Sequence, residues 1–159
     1  MDAHRKLVED FYTAFQAKDY VGMNGCYHPE IHFRDPVFQD LYGSEAKAMW
    51  HMLCERGKDL VIAFQNVQAG ERGGSVRWDA HYTFSTGRKV HNIVRASFEF
   101  QDGKIIHHED VFDLWRWTRH ALGPVGVLLG WSPIVKNKVR RTARQGLELF
   151  LEKHPDYQR

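Results

Sequence analysis

Asp102-Gly103-Lys104-Ile105-Ile106-His107-His108-Glu109-Asp110-Val111-Phe112-Asp113 reads as a turn followed by the second arm of a β-hairpin. Asp-Gly is a strong two-residue turn signal. Here it joins a strand-like run from Ile93 to Gln101 to a second run from Lys104 to Asp113. Side chains on a strand alternate faces, so Ile106, His108, Asp110 and Phe112 are expected on one side, with His107 and Glu109 on the outer face. A histidine and a carboxylate two residues apart, flanked by apolar groups, are unusual for a dry core strand. Either they line a hollow that holds water or ligand, or the facing is the reverse, or the two form a structural pair bonded to each other or to loop backbone.

Upstream of this hairpin, strands are expected at 60–69, 75–86 and 89–101, with 104–113 as the fourth. They are set off by Gly70 to Gly74, by Thr86-Gly87 and by Asp102-Gly103. Such short links make neighbouring strands antiparallel. In the run 75–86, Val76, Trp78, Ala80, Tyr82 and Phe84 share a face. Helices precede the strands: 3–17, with Leu7, Val8, Phe11, Tyr12 and Phe15 as its apolar stripe; a short one opened by Lys18-Asp19 and stopped by Tyr27-His28-Pro29; and 44–56, carrying Met49, Trp50 and Leu53. Between the last two lies a short strand, Ile31 to Pro36, whose apolar face ends in Asp35. That carboxylate either accepts backbone N–H groups in a turn before Pro36 or enters the hollow. Downstream, Asp113 caps a helix from Leu114. An apolar, glycine-broken stretch, Leu122 to Trp131, leads to a final helix from Pro133 to about Lys153, with Val135, Val139, Ala143, Leu147 and Phe150 inward.

The expected architecture is α+β in a single domain, 1–159. Residues 3–115 form a curved-sheet core with N-terminal helices, and 116–159 form a C-terminal helical extension. A hydrophobic fraction of 43% with 13% aromatics excludes disorder. A net charge of +2 gives no reason to expect nucleic acid. The basic face of the last helix (Lys136, Lys138, Arg140, Arg141, Arg144) reads as solvated; contact with an anionic partner or a membrane surface is the alternative and is not the expected one. No apolar run approaches the roughly 18 residues of a membrane span, and Met1 to Arg5 lacks a signal-peptide core. Cys26 and Cys54 read as reduced thiols of a cytoplasmic protein. No metal is expected: His107 and His108 point apart on a strand, and the other histidines show no paired spacing. Neither a glycine-rich phosphate loop nor a Gly-x-Ser-x-Gly elbow occurs, so no cofactor and no nucleophilic hydrolysis are expected.

The order of elements, together with Phe15-Gln16-Ala17-Lys18-Asp19, Phe33-Arg34-Asp35-Pro36-Val37, and Phe98 to Ile105 leading into His108-Glu109-Asp110, resembles the nuclear transport factor 2-like superfamily in its SnoaL-like, ketosteroid-isomerase-like branch. The resemblance spans about residues 3–115. It implies a cone: a strongly curved antiparallel sheet wrapped around N-terminal helices, with a deep pocket for a small apolar ligand and homodimers through the outer sheet face. Ketosteroid isomerases place their aspartate base where Asp35 stands. Their oxyanion-hole tyrosine falls on Phe11, with Tyr12 one residue on, and their second aspartate falls on Ala96, so steroid isomerisation is not expected. SnoaL-like cyclases carry a histidine and an acid/base aspartate where His108 and Asp110 stand, and scytalone dehydratase also works with aspartate and histidine. The implied catalytic set is Asp35, His108 and Asp110, in a pocket lined by Phe11, Tyr12, Phe15, Phe33, Trp50, Trp78, Tyr82 and Ala96. The expected function is cofactor-independent acid–base catalysis (isomerisation, cyclisation or dehydration) on a small apolar carbonyl-type substrate. The alternative is a non-catalytic ligand-binding or dimerisation module of the same fold.

Overall fold

Aromatic residues spaced three and four apart on the first helix decide what the sheet wraps around. In the computed structural model, which describes residues 2–158, α1 (Asp2–Gln16) buries Val8, Phe11, Tyr12 and Phe15 along one stripe. Helix α2 (Tyr20–Gly25) follows, its N-terminus capped by Asp19, which accepts the Gly22 N–H at 2.9 Å. Then come β1 (Tyr27–Arg34), β2 (Leu41–Tyr42), α3 (Ser44–Arg56), β3 (Val61–Ala69), β4 (Gly73–Thr83), β5 (Lys89–Gln101) and β6 (Lys104–Val111). Helices α4 (Leu114–Leu122), α5 (Pro124–Leu129) and α6 (Pro133–Lys153) and a 3-10 turn (Pro155–Gln158) complete the described chain. None of the described helices is long and apolar enough to cross a membrane.

The six strands form one open sheet in the order β2-β1-β6-β5-β4-β3. Strands β3 to β6 are the expected antiparallel meander. The sheet is mixed rather than wholly antiparallel, because β1 lies parallel to β6, with Phe33 beside His108 and Arg34 beside Glu109. About seventy residues of chain separate the two strands, ample for the crossover a parallel pair requires. Helix α2 ends just before Tyr27-His28-Pro29, as expected, but these residues open β1, which starts earlier than the expected Ile31.

The Asp102-Gly103 turn has φ +54° and +72°, as a two-residue hairpin demands. Next to it the ladder shifts by one residue. Phe100 pairs with Ile105 but Glu99 with His107, which leaves Ile106 as an extra residue on β6. This bulge corrects the expected facing: Ile105, not Ile106, joins His108 and Asp110 on the interior side.

Inside the sheet, Phe15 and Phe33 meet the Trp50 ring edge-on at 5.1 and 5.4 Å, and Phe15 meets Trp78 at 5.4 Å. Packing of this kind makes a dense aromatic core. The extension docks on its flanks. Leu147 and Phe150 of α6 enter the main core beside α3, while Leu114, Trp117 and Ala121 of α4 make a smaller cluster with Val90. Arg144 holds Glu45 of α3 at 2.6 Å.

Candidate active site

Strand β6 carries His108 and Asp110 inward on the same face, both buried. Their side chains meet, His108 Nε2 lying 2.8 Å from Asp110 Oδ1. On the other side, His108 Nδ1 lies 2.7 Å from the Tyr27 hydroxyl, which accepts the Trp50 indole N–H at 2.8 Å. The protons can be assigned by elimination. An indole N–H only donates, so the Tyr27 oxygen accepts from Trp50 and its own O–H is free to donate to Nδ1. The imidazole then carries its proton on Nε2 and donates it to Asp110. The Asp110 carboxylate receives a second donor, the Trp78 indole N–H, at 3.4 Å. Every member of the row Trp50–Tyr27–His108–Asp110–Trp78 has a hydrogen-bond partner. Rings of Phe98, Phe33 and Phe11 enclose the imidazole, with centroids at 4.6, 5.0 and 5.6 Å. His108 is fully buried in this structure, and Asp110 almost so.

Asp35 reaches the same place from β1. The parallel register sets Arg34 beside Glu109, and one step further brings Asp35 alongside Asp110. Its Oδ1 accepts the N–H groups of Val37 at 2.7 Å and Phe38 at 2.6 Å, so the turn role anticipated for a residue before Pro36 is real. The residue keeps some solvent contact, but its carboxyl sits among protein groups. Burial pushes it up to about 7; the Phe38 N–H opposes this, the Asp110 charge adds to it, and the Val37 N–H opposes it again. Asp35 and Asp110 both open on a cleft of about 210 Å³, whose other walls include Arg34, Pro36, Gln39 and Arg140. Arg140 of α6 donates to the Pro36 carbonyl at 2.9 Å, so the C-terminal extension closes one side of this cleft.

The expected apolar lining is placed differently. Phe11, Tyr12, Phe15, Phe33, Trp50 and Ala96 are at most 3% exposed and pack among themselves and their neighbours. They form the core behind the acidic pair rather than the walls of a deep pocket. Trp78 touches the site through Asp110. Tyr82 is half-buried; its hydroxyl accepts the Trp117 indole N–H at 2.6 Å, and the nearby Asp35 charge, after burial, contributes to a raised pKa. Its own O–H proton is thus free to donate. The buried Tyr12 hydroxyl has no hydrogen-bond partner among the described residues, and burial, then Asp110, raise its pKa well above the usual range. A larger cleft, about 680 Å³, lies between Pro29, Tyr42 to Glu45, Leu151 and Tyr157. The larger cleft holds neither Asp35 nor Asp110. Sequence reasoning missed Tyr27, read as part of a helix stop, and Arg140, read as solvated.

Two groups of side chains away from this cleft could hold a metal ion, their ligand atoms within 4.8 Å of one another: His51, Glu55 and His154, and Asp79, His81 and His91. Strand and helix pairing assembles both, which spacing in the sequence did not reveal. In the second, Asp79 is already paired with His91 at 2.9 Å and Arg77 at 3.3 Å.

Compared with known proteins, residues 8–108 match the family model described as a SnoaL-like domain. Comparison with curated protein sequences finds no match. Among solved structures, an NTF2-like protein of unknown function from Burkholderia pseudomallei superposes with a TM-score of 0.66 at 17% identity, covering 76% of this chain and 98% of that one. An LEH-like epoxide hydrolase from M. tuberculosis gives 0.63 at 17% identity, over 81% of this chain and 97% of the other. IdmH of Streptomyces antibioticus, a candidate polyketide cyclase, gives 0.61 at 16% identity, over 72% and 95%. At these identities the likeness establishes the cone-type fold.

Proposed function

We propose that this chain, which belongs to the SnoaL-like domain family, is a cofactor-independent acid–base enzyme acting on a small carbonyl-type substrate. One observation supports the reading: Asp35 and Asp110 share a cleft, and burial raises the Asp35 carboxyl to about 7. Two carboxyl groups in unlike surroundings can divide into an acid and a base. Asp110, held by hydrogen bonds from His108 and the Trp78 indole N–H, takes a proton from the carbon next to a carbonyl. Asp35, about half protonated near neutral pH, delivers a proton to the oxygen or carbon that gains charge. The proton lost and the proton gained balance, so isomerisation, cyclisation and dehydration all fit, and none needs an added electron carrier. His108 and Tyr27 hold the base in place.

The test is turnover of a panel of small β-dicarbonyl and polyketide-like compounds by the parent protein and by Asp110→Asn and Asp35→Asn. Each substitution is expected to lower kcat/KM by about 10² to 10⁴. Unchanged turnover in both variants overturns the assignment. A second reading, a ligand-binding or dimerisation module without turnover, is favoured by the dense packing of the aromatic residues behind the pair. It predicts ligand-induced NMR shifts around the cleft with no product. In either case we propose a homodimer through the outer sheet face, which sedimentation equilibrium tests.

A further inference from the structure

Helix α5 and its flanks turn their apolar side chains away from the protein. Leu128 is 70% exposed, Trp131 61% and Ile134 79%, and Val125, Val127 and Leu129 are each at least half exposed. Six large apolar residues within ten positions exceed what a monomer's surface ordinarily shows in one place. They are held there firmly. Gly126 and Gly130 sit so close to Thr118 of α4 that a Cβ on either would collide with it. Trp115 donates to the Gly126 carbonyl at 3.2 Å, and Trp131 to the Leu128 carbonyl at 2.9 Å.

Charge singles out the same segment. From Leu114 to Leu147 there is no Asp or Glu, although the chain has 20, and there are seven Lys or Arg: Arg116, Arg119, Lys136, Lys138, Arg140, Arg141 and Arg144. A chain of net charge +2 therefore concentrates its positive charge here, and the remainder is net acidic. On α6, Ile134, Lys138 and Arg141 are spaced by four and three, which puts an apolar residue and two exposed cations on one face.

We propose that α5, Trp131 and the first turns of α6 form a docking surface for an anionic lipid bilayer. The apolar side chains enter the boundary between headgroups and acyl chains, Trp131 rests at that level, and the basic residues meet lipid headgroups. A second copy of this chain suits the surface less well, since two-fold contact would bring one strongly positive face against another. Because α6 also supplies Arg140 to the cleft wall, docking would bring that mouth near the membrane surface. The binding itself does not depend on the proposed catalysis.

The test is cosedimentation of the full chain with phosphatidylcholine vesicles, with and without about 30 mol% phosphatidylserine, at low and high salt. The expected result is binding to the anionic vesicles, weakened at high salt, with a blue shift of tryptophan emission that Trp131→Phe abolishes. Each basic residue near the surface is worth about fivefold in partitioning, so Lys138→Gln with Arg141→Gln should weaken binding at least tenfold. Leu128→Ser with Ile134→Ser should weaken it at equal charge. All four side chains are exposed, so the thermal midpoints should stay at the parent value. No binding to anionic vesicles, or binding by both variant pairs as tight as the parent's, overturns the proposal. So does a concentration-dependent dimer that the Leu128→Ser pair dissolves while vesicles are ignored.

Discussion

Replacing Asp35 by Asn should stabilise the protein at high pH while destroying its proposed activity. The side-chain oxygen of Asn can still accept the Val37 and Phe38 N–H groups, so the turn survives and only the charge is lost. The sign follows from linkage. A carboxyl with a folded-state pKa of about 7, against about 3.9 in the unfolded chain, is harder to ionise in the folded protein. The cost of that ionisation begins as pH rises past about 4 and stops growing above about 7. It comes to about 1 kcal/mol at pH 4.5 and about 4 kcal/mol at pH 8.5. Any fixed effect of the substitution is common to both pH values, so the stability of Asp35→Asn relative to the parent should improve by about 3 kcal/mol between them. For a chain of this length that is a relative gain of about 6 to 12 °C in melting temperature. Urea or thermal unfolding of both proteins at the two pH values measures it. If the difference between the proteins is the same at both pH values, the carboxyl titrates normally, and its role as a near-neutral acid fails.

Three further outcomes are expected. His108→Phe leaves a buried aspartate without its main donor and should cost about 3 to 5 kcal/mol in urea unfolding. Tyr27→Phe removes the hydroxyl that fixes the imidazole; about 1 to 3 kcal/mol should be lost, and ¹⁵N chemical shifts of the His108 ring should show a disturbed tautomer. Asp113→Ala removes the cap that accepts the Arg116 N–H at 3.1 Å and should cost about 1 kcal/mol in thermal unfolding.

Much of this structure was legible because local rules sufficed. The Asp102-Gly103 turn, the Asp113 cap and the three-and-four spacing of Phe11, Tyr12 and Phe15 each act over a few residues, and each predicted its element. That His108 and Asp110 share one face followed from alternation, while which face turns inward was set by the bulge at Ile106. What the sequence concealed is non-local. The parallel pairing of β1 with β6 joins residues more than seventy positions apart, and it makes Tyr27 a partner of His108 and Asp35 a neighbour of Asp110. Volume was equally hidden: whether Phe11, Phe15 and Trp50 line a hollow or fill it depends on ring-to-ring contacts that no spacing encodes. Arg140, too, looked like one more cation on a wet helix until α6 was placed across Pro36.

The extra residue on β6 acts as a frame selector. The hairpin encodes two overlapping acid-imidazole pairs, His107 with Glu109 and His108 with Asp110, offset by a single position. A ladder continued without interruption from the tight turn would set His107 opposite Phe98 and turn the first pair inward. Ile106 shifts the count by one, so that Phe98 faces His108 instead. Loss of that one extra residue would therefore exchange one buried pair for the other without changing a single side chain of either.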